Sequence, residues 1–266
     1  MKLIMLGTGN AVTLNCYNTC YAYKEKGSYF LVDAGGGIQI LKQLEMADVP
    51  LKKIEDIFIT HKHLDHITGI FWLLRMYAAK IKSDKFKGTV RIISHQEVID
   101  VLRYVLIHLL DVEPEALLPH LVLQTVEDQD TLEVLGHKIT FFDIHSTKAK
   151  QFGYCLQIDG KTKLTCLGDE SFNDSETEYV KNSQWLMHEA FCLYSQKDEY
   201  KPYKKHHSTV KDACEIAESF DIPNLILYHT EEKNLLHRKQ MYKQEGKRYY
   251  SGNLFIPDDM EIIDLS

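Results

Sequence analysis

Apolar and polar positions alternate along the chain in short bursts that read as strands, and between them apolar residues recur at helical spacing. Residues 3–6, 19–23 and 29–32 are brief apolar runs bounded by turn residues and predict three strands. A break at Asp33-Ala34-Gly35-Gly36-Gly37 precedes a predicted helix over 38–46. Residues 54–59 form a near-continuous apolar run, the pattern of a buried strand. Over 66–79, Ile67, Ile70, Phe71, Leu74 and Tyr77 share one helical face. Strand 90–94 and helix 97–110 repeat the rhythm, and 111–130, with Pro114 and Pro119, predicts an irregular surface excursion. The second half predicts a hairpin of 132–135 and 138–144 around Gly136-His137. A second hairpin joins 152–158 to 163–167 through Asp159-Gly160. Strand 185–189, helix 209–220 capped by Ser208 or Thr209, strand 225–228, helix 231–245 and a short strand over 260–263 complete the pattern. No repeat or linker divides it. Residues 1–266 are therefore expected to form one α/β domain, two sheets packed together with helices outside.

Composition narrows the function classes. The 266 residues are 44% hydrophobic and 26% charged, as in ordinary globular proteins. Lys plus Arg is 31 against 38 Asp plus Glu, a net charge of −7. A protein that grips nucleic acid by its overall field carries the opposite sign, so any basic surface must be local. The opening apolar run stops at Gly7, too short for a signal or spanning segment, and no later stretch is long enough. No membrane partner is expected, and the cytoplasm is the default address. Six scattered cysteines, including Cys16 and Cys20 in one loop, read as free thiols.

The sharpest chemical signal is His61-Lys62-His63-Leu64-Asp65-His66, directly after the strand 54–59. A turn after a strand projects alternate side chains, so His61 and His63 can reach one metal while Asp65 and His66 reach another. Imidazole and carboxylate suit Zn²⁺, Mn²⁺ or Fe²⁺ and leave positions open for water. Two metals need more ligands. His145, Asp169 and His229 each finish an apolar strand and are the candidates.

At these residues the chain resembles the metallo-β-lactamase superfamily and, within it, the ribonuclease Z branch of phosphodiesterases. The resemblance runs from Leu6-Gly7-Thr8-Gly9 and Leu31-Val32-Asp33-Ala34-Gly35 through the histidine motif. It continues through His145 with Phe152-Gly153-Tyr154, Gly168-Asp169, His188-Glu189-Ala190, His207-Ser208-Thr209 and His229. It implies a four-layer αββα sandwich, two mixed sheets with helices outside. It also implies two divalent metal ions, zinc first with manganese or iron as alternatives. One would sit on His61, His63 and His145, the other on Asp65, His66 and His229, with Asp169 bridging both. Asp65, His207 and Glu189 are the catalytic residues it marks. His207 would serve as proton donor or phosphate contact, oriented by Glu189, because a carboxylate keeps a nearby imidazole protonated. His206 reads as a solvated neighbour, and Asp33 as a hydrogen-bonding support of the metal loop.

The chain departs from that branch in one respect. Its transfer-RNA-processing members carry a long arm between the motifs of His145 and Asp169, whereas these residues stand 24 positions apart here, filled by a hairpin. The expected function is thus a metal-dependent phosphodiesterase acting on a small anionic substrate. RNA remains a candidate substrate, but tRNA processing is in doubt. A thioesterase, sulfatase or lactonase on the same scaffold, or a silent binding protein, are the alternatives. Late basic residues (Lys201, Lys204, Lys205, Lys211, Lys233, Arg238, Lys239, Lys243, Lys247, Arg248) read first as a solvated face and second as a substrate attractor. Tyr194, Tyr200, Tyr203, Tyr249 and Tyr250 suit either a cleft lining or a homodimer contact.

Overall fold

The computed structural model describes residues 1–265. One sheet has the spatial order β14 (Ile262–Asp264), β1 (Lys2–Gly7), β2 (Cys20–Glu25), β3 (Ser28–Val32), β4 (Ile54–Phe58), β5 (Val90–Ser94), β6 (Leu121–Thr125). The other runs β13 (Asn253–Phe255), β12 (Asn224–Tyr228), β11 (Trp185–Glu189), β10 (Lys163–Cys166), β9 (Phe152–Gln157), β8 (His137–Asp143), β7 (Thr131–Val134). Each sheet is antiparallel at one side and parallel at the other, β3 through β6 in the first and β10 through β13 in the second.

Alternation along the strands explains the layering. One face of each sheet contributes Leu3, Tyr21, Tyr23, Phe58, Phe141, Tyr154 and Met187 to a core between the sheets. Phe58 and Phe141 meet there with ring centroids 4.8 Å apart. The buried tyrosine hydroxyls satisfy one another, Tyr23 with Tyr154 at 2.7 Å and Tyr154 with Tyr21 at 3.1 Å, as burial of polar groups requires. The outer face of the first sheet packs on α1 (Gln39–Met46), α2 (Leu64–Lys82) and α3 (Gln96–Leu110). After the single turns α4 (Thr177–Val180) and α5 (Lys197–Tyr200), α6 (Val210–Ser219) and α7 (Arg238–Gly246) cover the second. This is the expected αββα sandwich with mixed sheets. No helix among the described residues is long and apolar enough to cross a membrane, and all six thiols are free.

Three elements differ from expectation. The stretch 111–130 contains β6, an edge strand in register with β5 from Val90 and Leu121 to Ser94 and Thr125. An edge strand needs only one well-buried face, so its pattern is faint beside two prolines. Residues 231–237 are turns rather than helix because both acidic side chains cap distant or local backbone. Glu232 Oε2 accepts from the Leu14 amide at 2.8 Å, and Glu231 Oε2 from the Asn234 amide at 3.1 Å. Finally, β13 is a three-residue strand with no sequence signature.

The site-bearing loops leave the C-terminal ends of the strands, the usual location for ligands in sheets of this kind. Four of these exits use left-handed backbone: Asp33 (φ +56°), His145 (+55°), Gly168 (+84°) and His229 (+55°). Helix α2 is seated against one of them by Gly69, whose Cβ, if present, would lie 1.8 Å from the Ala34 carbonyl oxygen. Gly69→Ala must push the helix and the histidine-bearing turn before it off the Asp33 loop. A loss of about 1–3 kcal/mol is expected, read as a lower thermal unfolding midpoint. An unchanged midpoint would mean that the loop yields without cost.

Candidate metal centre

Residues 59–63 carry the chain from β4 to α2 over a floor built by Asp33. The Thr60 amide donates to Asp33 Oδ1 at 2.8 Å and the Thr60 hydroxyl to Oδ2 at 2.9 Å. His66 Nδ1 lies 2.7 Å from the same Oδ2. Asp33 therefore supports the loop from beneath, as expected, and leaves His66 Nε2 facing into the site. Thr60 is a support that sequence reasoning passed over; a hydroxyl between a strand and the first histidine was its signal.

Two groups of side chains converge above this floor. In the first, His61, His63 and Asp169 bring ligand atoms within 4.8 Å of one another, and in the second Asp65, His66 and His229 do the same. Asp169 Oδ2 lies where the groups meet, 3.7 Å from His61 Nε2, 3.6 Å from His66 Nε2 and 3.7 Å from His229 Nε2. Asp65 Oδ2 is 3.3 Å from His66 Nε2 and 3.4 Å from His229 Nε2. The Nε2 of His61 and Nδ1 of His63 are only 2.8 Å apart, so these two ring nitrogens must share a proton or face a common cation. His66 Nε2, Asp169 Oδ1 and His229 Nδ1 are buried without a hydrogen-bond partner among the described residues.

The electrostatics ask for positive charge. Burial drives His61 and His63 toward the neutral, coordinating form, well below the ordinary value for His61. Burial opposes ionisation of Asp169, yet the imidazoles of His61, His229 and His66 outweigh it and hold the carboxyl well below the usual range. Asp65 follows the same pattern, burial being overcome by His66 and His229. Buried carboxylates among imidazoles, with His66 Nε2 facing the site without a hydrogen-bond partner among the described residues, are a donor set that fits divalent transition metals.

The structure places His145 elsewhere. It follows β8 at a left-handed residue, and its ring is 65% exposed, with Nδ1 3.9 Å from Asp143 Oδ1. It does not join the clustered ligand atoms. His207 and Glu189 do come together beside the metal groups: His207 Nδ1 is 3.6 Å from Glu189 Oε2, and the ring centroids of His207 and His229 are 5.3 Å apart. Glu189 is fully buried at the end of β11 and accepts the Ser208 amide. Its neighbour His188 points to the other face of the strand and bonds the Glu189 carbonyl at 2.7 Å. Phe191 stacks on the His207 ring at 5.0 Å with an 8° interplanar angle, a contact sequence reasoning missed. Burial works against a charged His207, but Glu189 and then Asp169 prevail, so its pKa is raised above the ordinary histidine value. His206 is exposed at a left-handed turn residue.

The late basic residues divide. Lys233 pairs with Glu199, Lys239 with Asp258 and Glu261, and Arg238 is wholly buried, bonding Thr230, Thr8, Pro257 and Asp258. The solvated-face reading holds for Lys233 and Lys239 and fails for Arg238. Among the tyrosines, Tyr200 lies edge-on to Phe191 with its hydroxyl 3.1 Å from Glu231, whereas Tyr250 is buried with its hydroxyl on the Ile222 carbonyl.

Comparison with known proteins agrees with this architecture. Ribonuclease Z of Enterococcus faecalis is 25% identical over all of this chain and 97% of its own length, and that of Methanocaldococcus jannaschii 28% identical over the same shares. Two solved structures share the fold over nearly the full length of both chains. The metallo-β-lactamase fold protein YhfI of Bacillus subtilis has a TM-score of 0.78 at 20% identity over 98% of each chain. The short form of human tRNase Z has 0.76 at 21% over 100% of each. The sequence pattern described as anti-Pycsar protein Apyc1 matches residues 1–247. On that match, the chain belongs to the Apyc1 family of anti-Pycsar proteins, built on the metallo-β-lactamase fold.

Proposed function

We propose that this protein is a metal-dependent phosphodiesterase that holds two divalent ions and hydrolyses a small anionic phosphodiester. The observation that carries this reading is Asp169 Oδ2 standing 3.6–3.7 Å from the Nε2 atoms of three histidines drawn from both ligand groups. His61 and His63, with His145, would hold one ion and Asp65, His66 and His229 the other, Asp169 serving both. His145 enters by its place at the end of β8 and by resemblance. Metals so held supply Lewis acidity and a water of lowered pKa. The chain does the rest. Asp65, ionised between two imidazoles, would accept a hydrogen bond from the attacking water and orient it. His207, kept cationic by Glu189, gives one to the departing oxygen. The stack on Phe191 keeps the His207 ring edge toward the site, and Asp33 fixes the direction of His66.

The test is a panel of nitrophenyl phosphodiester, monoester, sulfate and thioester substrates, assayed before and after chelator, with elemental analysis. About two equivalents of transition metal, zinc foremost, and chelator-sensitive cleavage of the diester are expected. A chain that cannot be loaded with metal, or that prefers the thioester, overturns the reading.

Precursor tRNA is expected to be a poor substrate at physiological salt. Only a hairpin separates His145 from Asp169, and the alignment with the E. faecalis relative runs 319 positions against 266 residues here, so that relative carries segments this chain lacks. The net charge of −7 adds no attraction for a polyanion. Efficient 3′ cleavage in a gel assay would contradict the assignment to small substrates.

A further inference from the structure

Gln151 precedes β9 at the back of the metal site. Its side chain is 1% exposed, yet neither Oε1 nor Nε2 has a partner among the described residues. Buried amides are almost always hydrogen-bonded. The amide lies against the backbone that delivers Asp169: a Cβ on Gly168 would stand 2.5 Å from Gln151 Nε2. Gly168 thus needs to be glycine both for its φ of +84° and for this contact.

Asp169 shows the complementary deficit. Its Oδ2 faces the three imidazoles, while its buried Oδ1 has no partner. Both residues line one small cavity of about 10 Å³, together with Thr60, Asp33, His66 and Tyr228. That is room for one water, with the unpartnered Gln151 amide and Asp169 Oδ1 to hold it.

We propose that Gln151 is a positioning residue for Asp169, acting through a single buried water. Gln151 Nε2 donates to the water and the water donates to Asp169 Oδ1, which keeps Oδ2 turned toward His61, His66 and His229. The inference rests on the two-metal reading, since it gives the amide a purpose only if Asp169 is a ligand.

Gln151→Leu and Gln151→Met remove the amide while keeping the volume. Zinc affinity measured by chelator competition is expected to fall by about 10–100-fold, the usual effect of losing a ligand's supporting hydrogen bond. The unfolding midpoint of the metal-free variants should stay level or rise, because a poorly paired buried amide has gone. A crystal structure of the zinc-loaded wild type should show the bridging water. Affinity unchanged in both variants, affinity and metal-free stability falling together, or a direct Gln151–Asp169 contact without water would each overturn the proposal. A wild-type chain that takes up no zinc would instead refute the two-metal reading and carry this inference down with it.

Discussion

Asp169→Ala is expected to abolish diester hydrolysis and weaken both metal sites at once. The carboxylate is 3% exposed and its Oδ2 faces His61, His66 and His229 at once, a position shared by both ligand groups. Removing it leaves three buried imidazoles and Asp65 around a gap with one negative charge fewer. The loss of metal affinity should exceed the ~10–100-fold attributed to outer supporting groups. Activity should drop to the level of the chelated wild type. The metal-free protein should remain folded, though with a lower unfolding midpoint: among the described residues Asp169 accepts no backbone hydrogen bond, but its charge is favoured by the imidazoles of His61, His229 and His66. Metal titration followed by calorimetry, with circular dichroism as the folding control, gives the answer. If Asp169→Ala lost one equivalent and bound the second with wild-type affinity, the carboxylate would serve a single ion and the bridging assignment would fail.

How much of this could be seen in the sequence depends on the range of the forces involved. The His61–His66 cluster is local: strand, turn and helix follow one another within a dozen residues, so spacing alone brings four side chains to one place. Asp169 and His229 were legible because each ends an apolar strand, and strand ends of parallel sheets converge on one edge, while Glu189 was marked by the family resemblance. The environment of His145 was not legible. Its left-handed φ and the exposed path of its ring depend on what packs beneath the 145–150 loop, and no pattern of apolar residues encodes that. The same holds for Glu231 and Glu232, whose helix-forming tendency yields to partners as far away as Leu14. The role of Gln151 is also hidden, since a glutamine in a loop reads as surface until the cavity around it is seen. Local chemistry was written in the sequence. Long-range satisfaction of polar groups was not.

The remaining large effect concerns the leaving group. His207→Ala is expected to cost alkyl phosphodiesters far more than nitrophenyl diesters, since a nitrophenolate departs unprotonated and an alkoxide does not. General acid catalysis is worth roughly 10²–10⁴-fold, so the ratio of the two rates should change by a comparable factor. Glu189→Gln should reproduce part of that change by a separate route. Burial opposes charge on His207, and the Glu189 carboxylate 3.6 Å away raises its pKa above the ordinary histidine value. A raised pKa keeps the donor protonated to higher pH, so the basic limb of the rate profile lies above the ordinary histidine range. With Gln at 189 only Asp169 still offsets burial, the pKa falls, and the basic limb moves to lower pH. His206→Ala, at the exposed neighbouring position, should leave both the ratio and the limb unchanged. Metal content should stay at the wild-type level in His207→Ala and Glu189→Gln, which separates proton transfer from damage to the ligands. Equal losses on alkyl and nitrophenyl substrates in His207→Ala would show that the ring binds phosphate and donates no proton. An unmoved basic limb in Glu189→Gln would show that the carboxylate orients the ring without setting its charge.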